Sequence, residues 1–280
     1  MRDILPLIQK PSHYLGTEVN AVHKRDGEVR LRVALAFPDL YEVGMAYVGQ
    51  RILYNLVNQR KHWWAERVFA PGPDVAAVMR EHSTPLCTLE SDTPLAQLDV
   101  VAFSLTHELC YTTVLHMLDL AGIPFRAAHR GGEWPLIIGG GGMAFQPEPV
   151  APFFDLLGVG DGEEVLPEVL ELVDRAREQG WTKAQCLESM QGRKGIYIPA
   201  GQEPSATTQV TRRVAPDLNR IDYPTRQVVP FGKVVHDRYS LEIARGCTRG
   251  CRFCHAGMVY RPVRERGLLV LDALLCRGLD

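Results

Sequence analysis

Three cysteines fall within eight positions in RGCTRGCRFCHAG, residues 245–257, of a chain that has seven cysteines in all. Cys247, Cys251 and Cys254 form a C-x3-C-x2-C pattern directly after an apolar run and inside a glycine-containing loop. Thiolates are metal ligands, and Arg245, Arg249 and Arg252 interleave with them, a poor pattern for a dry core and a good one for stabilising thiolates. Zinc would need four ligands, a number that His255 completes, although neighbouring ligands at 254 and 255 crowd one small ion. CRFCH, residues 251–255, also matches the C-x-x-C-H haem-attachment pattern, which leaves Cys247 without a role. The third chemistry is a [4Fe–4S] cluster with three protein thiolates, whose open iron can bind a small molecule through an amine and a carboxylate.

A site of this kind needs a scaffold, and composition allows one. The 280 residues are 46% hydrophobic and 23% charged, enough to bury the core of one large or two ordinary domains. A formal charge of −2 with a pI near 6.5 offers no footprint for nucleic acid. The N-terminus lacks the apolar core of a signal peptide, and no apolar run approaches the roughly 18 to 20 residues that span a bilayer. The expectation is a cytoplasmic protein without membrane association. In that reducing compartment clustered thiols point to metal or redox chemistry rather than disulfides. Cys87, Cys110, Cys186 and Cys276 stand alone in apolar or helical contexts and read as packing residues.

The elements alternate. Glu28 to Asp39 ends in an apolar run that reads as a buried strand, and Met45 to Gln59 follows with Ile52, Leu53, Leu56 and Val57 at helical spacing. Arg67 to Ala70 reads as a short strand, Pro73 to Glu81 as a helix, Leu98 to Thr106 as a strand, and Glu108 to Gly122 as a helix with a glycine cap. PLIIGGGG supplies a strand running into a glycine loop, and Asp155 to Glu164 a last short strand before a helix ending near Gly180. This alternation predicts an α/β fold with an open, doubly wound, mostly parallel sheet, which binds ligands beyond the carboxyl ends of its strands. Residues 1–26 read as a lead-in, 27–191 as the α/β domain, 192–236 as a linker with short strands, and 237–280 as a new domain whose first firm strand is SLEIARG, residues 240–246. Glu108 reads as a helix-starting carboxylate, and Glu148, Asp161, Glu163 and Glu164 as loop and first-turn carboxylates.

The C-x3-C-x2-C loop after a strand, with Phe253 before the last cysteine, resembles the signature of the radical S-adenosylmethionine superfamily. With PDLYEVGMAYVG, GGGGMAFQPEP and GVGDGEE, the chain is similar to the branch carrying an N-terminal B12-binding domain of Rossmann-like or flavodoxin-like type. The resemblance implies that Cys247, Cys251 and Cys254 ligate a [4Fe–4S] cluster, that S-adenosylmethionine chelates the open iron, and that Phe253 lies near its adenine. It implies reductive cleavage of S-adenosylmethionine to a 5′-deoxyadenosyl radical, with flavodoxin or ferredoxin as the electron donor and a small-molecule or macromolecular substrate set by residues elsewhere. B12 domains of the histidine-ligated type carry D-x-H-x-x-G; the corresponding stretch here runs from Asp39 to Gly44 with Tyr41 in place of the histidine. Ser104, Thr106, Gly139 and Gly140 match the other cobalamin-contacting positions. The chain ends 26 residues after Cys254, too few for a radical barrel, so a fragment holding its first helix is expected, inactive alone, with Leu268, Leu269, Val270, Leu274 and Leu275 short of partners. The alternative is a non-catalytic corrinoid- or nucleotide-binding module with a zinc-holding or vestigial cysteine loop.

Overall fold

The run Leu31–Phe37 forms the interior strand β1, and its alternation explains why the sheet is covered on both faces. Leu31, Val33, Leu35 and Phe37 enter one hydrophobic cluster, whereas Ala34 and Ala36 enter the other. A strand with apolar residues on both faces has no side to give to water. The computed structural model describes residues 1–133, 135–199 and 209–279.

After β1 come the short helix α1 (Tyr41–Gly44), α2 (Val48–Asn58), β2 (Trp63–Phe69), α3 (Pro73–Glu81), β3 (Val100–Ser104) and α4 (Cys110–Leu120). Next are β4 (Leu136–Gly140), β5 (Leu156–Gly158), α5 (Gly162–Glu178), α6 (Lys183–Met190) and β6 (Ile196–Tyr197). The sheet runs β2-β1-β3-β4-β5-β6, parallel except for the antiparallel edge strand β6. Register is fixed by pairs such as Val33↔Val100, Val100↔Leu136 and Ile138↔Leu156. The apolar faces of α3 and α4 pack on one side through Met79, Val114 and Met117. Those of α2, α5 and α6 pack on the other through Tyr54, Val169, Val173 and Cys186. The order of strands reverses between β1 and β3, so a crevice opens where the connections at their carboxyl ends diverge.

The open, mostly parallel sheet expected from the sequence is therefore present, with differences at its margins. The lead-in packs on the core through Met1, Ile4 and Ile8, and β6 lies in the segment expected to be linker. Residues 200–208 of that segment lie outside the described residues. The firm strand expected at 240–246 shrinks to β7 (Ala244–Arg245), followed by α7 (Ala256–Val259), β8 (Arg264–Glu265) and α8 (Leu268–Leu279). Among the described residues β7 pairs with β8 alone, and Ile243 is largely exposed, so the apolar run has no second neighbour among them to extend its pairing. In α8, Leu268 and Leu269 are 83% and 88% exposed, as expected of unpartnered residues. Leu274 departs from that expectation: it is buried with Ile52 and Tyr223, and Val270 packs beside them.

The lead-in is anchored by charge as well as by apolar contact. Arg67 of β2 is buried between Glu18 and Glu90, with Nε 2.6 Å from Glu90 Oε1 and a terminal nitrogen 2.8 Å from Glu18 Oε2. Burial pushes the Glu90 carboxyl up despite the neighbouring Arg67 charge. Breaking a buried pair from one side leaves uncompensated charge, so Arg67→Met is expected to cost about 3–5 kcal/mol in urea denaturation. A loss below about 1 kcal/mol would show that this cluster does not hold the N-terminal segment.

Candidate functional site

The cysteine loop hangs between β7 and β8, which pair as Ala244↔Glu265 and Arg245↔Arg264. The turn into it requires glycine: Gly246 has φ +95°, and a Cβ there would lie 2.6 Å from the Tyr260 carbonyl oxygen and 2.8 Å from that of Pro262. Cys247 and Cys254 are half-buried and Cys251 is exposed. The backbone N–H of Arg249 donates to Cys247 Sγ at 3.4 Å, and that of Cys254 to the Cys251 carbonyl at 3.1 Å. Phe253 is 92% exposed.

The donor set fits an iron–sulfur cluster. Three thiols share a loop that contains no carboxylate between 247 and 254, and a main-chain N–H already points at one sulfur, a contact that supports anionic cluster sulfur. Among the described residues no three His, Cys, Asp or Glu side chains stand close enough together to hold a single metal ion.

Charge fixes the base of this loop to the sheet. One terminal nitrogen of Arg245 lies 3.0 Å from Asp161 Oδ1, and the other lies 2.6 Å from Glu163 Oε1 and 2.9 Å from Glu242 Oε1. Arg264 donates to the second Asp161 oxygen and, at 2.9 Å, to the Ala215 carbonyl. Arg266 reaches Glu242 Oε2 at 3.2 Å. Asp161 also accepts from the Ala215 backbone N–H at 2.8 Å. Three arginines thus meet three carboxylates, two of them from the loop and first turn between β5 and α5. Burial works against ionised Asp161, yet the Arg264 hydrogen bond and the Arg245 charge hold its carboxyl below the usual range. Burial likewise opposes charge on Arg245, but Glu163, Glu242 and Asp161 push its pKa up.

Behind the clasp lies a cavity of about 410 Å³ at the carboxyl ends of β1, β3, β4 and β5. Ile138, Leu156, Val165 and Leu166 give it an apolar floor, and Arg245, Gly246 and Tyr260 close it from the cysteine side. Ser104, Gly139 and Gly140 stand at the strand ends that line it. At Gly140 a Cβ would meet only the Gly158 carbonyl oxygen, at 3.8 Å, so any side chain there would take up cavity space.

The structure brings together only part of the expected cobalamin set. Asp39, Tyr41, Gly44 and Thr106 do not line this cavity. Asp39 accepts from the Leu40 backbone N–H at 2.7 Å. Tyr41 is buried, stacks on His13 at 4.4 Å and donates its hydroxyl to Glu18 at 2.9 Å, so the hydroxyl is committed to the ion cluster of Arg67 and not to this cavity. Gly44 packs against the Phe69 ring. Arg245, expected beside the thiols, directs its guanidinium at carboxylates instead. Asp161 and Glu163, expected to be ordinary loop and first-turn acids, are its partners. The roles of Arg264, Arg266 and Tyr260 have no local signal in the sequence.

The family model described as "Radical SAM proteins, N-terminal" matches residues 49–199, more than half of the chain, and the protein belongs to that family. The match ends well before Cys247, so it is independent of the cysteine motif. The chain is 21% identical over 239 residues to the uncharacterized protein MJ0966 of Methanocaldococcus jannaschii, covering 84% of this chain and 43% of that protein. It is also similar to TsrM, a radical S-adenosylmethionine methyltransferase from Kitasatospora setae solved with tryptophan substrate and a SAM analogue. There the TM-score is 0.47 at 13% identity, over 87% of this chain and 44% of the other. The chain thus spans less than half the length of these relatives. No helix among the described residues is long and apolar enough to cross a membrane.

The clasp should respond to acid. A carboxyl whose folded pKa is depressed stabilises above its unfolded value of about 3.9, and that contribution is lost as pH falls through the folded value. Protection of residues 242–265 from hydrogen exchange, measured against the intrinsic rate at each pH, is therefore expected to be high at neutral pH and to fall below about pH 4. Asp161→Ala should lose that protection already at neutral pH while the sheet stays protected. Unchanged protection in that variant would mean that the loop is held by something else.

Proposed function

We propose that the protein supplies the sheet domain and cluster-binding loop of a radical S-adenosylmethionine enzyme. The observation that carries this reading is the C-x3-C-x2-C loop, Cys247, Cys251 and Cys254, in a chain whose family is identified by other residues. In this reading the three thiolates each hold one iron of a [4Fe–4S] cluster, and S-adenosylmethionine occupies the fourth, with Phe253 beside its adenine. When bound, the pair supplies reductive cleavage of the sulfonium carbon–sulfur bond. The chain's own part is to hold the loop on the clasp and to keep its thiols where an electron donor such as flavodoxin or ferredoxin can approach. The segment from β7 through α8 is read as the beginning of the catalytic barrel. Substrate choice and turnover belong in this proposal to the longer protein.

Anaerobic reconstitution should load about four iron and four sulfide per chain, with broad absorption at about 400 nm. Alanine at any one of the three cysteines is expected to abolish the loading, and a full cluster in all three single variants would sink the assignment.

The cavity, at about 410 Å³, is too small to enclose a whole corrinoid and is read as taking one arm of it, with Ser104, Gly139 and Gly140 against that arm. No histidine lines the cavity among the described residues, and Tyr41 is engaged with Glu18. Bound cob(II)alamin should therefore show no superhyperfine coupling to a protein imidazole nitrogen in its electron paramagnetic resonance spectrum. Such coupling would contradict the reading.

A further inference from the structure

A second pocket, of about 230 Å³, lies away from the cysteine loop, between α2, the segment at 20–22 and the strap at 224–228. Arg51 projects along it, partly buried. Its Nε and one terminal nitrogen donate to the Met45 carbonyl at 2.9 and 2.5 Å, and the other terminal nitrogen donates to Gln227 Oε1 at 2.7 Å. All these acceptors are neutral. A guanidinium has five N–H donors, so two remain for a further acceptor. No Asp or Glu lines the pocket among the described residues; of its other two arginines, Arg67 is paired with Glu18 and Glu90, whereas Arg226 at the rim has no ion-pair partner among those residues. The nearby acids are committed elsewhere: Glu18 and Glu90 to Arg67, and Asp222 to Gln59.

A partly desolvated cation without a counter-charge carries a cost that an anion would offset, and a guanidinium with two free donors is well shaped for an oxyanion. Asn20 contributes a further polar group, whereas Met45, Tyr54 and Val228 supply apolar wall. We propose that this pocket binds a small organic anion, with its carboxylate or phosphate head on Arg51 and Arg226 and its apolar part against Met45, Tyr54 and Val228. The bound anion would also tie α2 to the strap. Gln227, which accepts from Arg51, donates to the Ser240 carbonyl at 2.6 Å, at the start of the segment that leads to the clasp.

The test is thermal unfolding of the full chain in inorganic phosphate, acetate or butyrate, each against chloride of matched ionic strength. At least one of the three is expected to raise the midpoint beyond chloride, and Arg51→Met should remove that rise. A response to phosphate alone assigns a phosphate head; a larger response to butyrate than to acetate assigns a carboxylate with an apolar body. Arg226→Gln, at an exposed position, should fold normally and weaken the responding anion by about tenfold. No rise with any of the three, or an undiminished rise in Arg51→Met, would overturn the proposal. Should Arg51→Met fail to fold, an undiminished rise in Arg226→Gln would overturn it equally.

Discussion

The guanidinium of Arg245 is the point at which most charge is shared between the sheet and the segment that carries the cysteines, beside the Arg264–Asp161 pair and the packing of Leu274 on Ile52. Its partners Asp161 and Glu163 belong to the sheet domain, and Glu242 to the segment that leads into the cysteines. Charges this well removed from water are tolerable only together, since each alone would carry an uncompensated desolvation cost. The consequence is geometric: the first cysteine lies two residues beyond a side chain that cannot move without stripping its carboxylates of their partners. Gly246 adds the backbone half of the constraint, because any larger residue would strike the Tyr260 carbonyl.

The sheet is legible in the sequence because burial on both faces writes itself as continuous apolar runs. Leu31–Phe37 and Leu136–Gly140 read as buried strands on that ground alone. Helix α6 lacks a comparable apolar run, and its one local signal is the capping box that Thr182 and Gln185 form. The strand expected at 240–246 shows the opposite failure. Its residues have strand-like character, but a strand exists only where a neighbour pairs with it, and here β8 offers two residues.

The site divides in the same way. Spacing makes the thiols legible, since three ligands within eight positions are local chemistry. The clasp is not, because Asp161 precedes Arg245 by 84 positions and no local pattern marks ion pairs that far apart. Tyr41 illustrates a different limit. A motif places it after β1, but the direction of its side chain is set by Glu18 and Arg67, one from the lead-in and one from the next strand.

That long separation also has an entropic reading. Closing the chain between Asp161 and Arg245, 84 positions apart, costs little more than closing the 67 positions that bring Asp99 onto Arg32 at the start of the β1–β3 pairing, because the cost grows only with the logarithm of loop length. In chain entropy, the contact that fixes the base of the cysteine loop is thus comparable to a pairing inside the sheet itself.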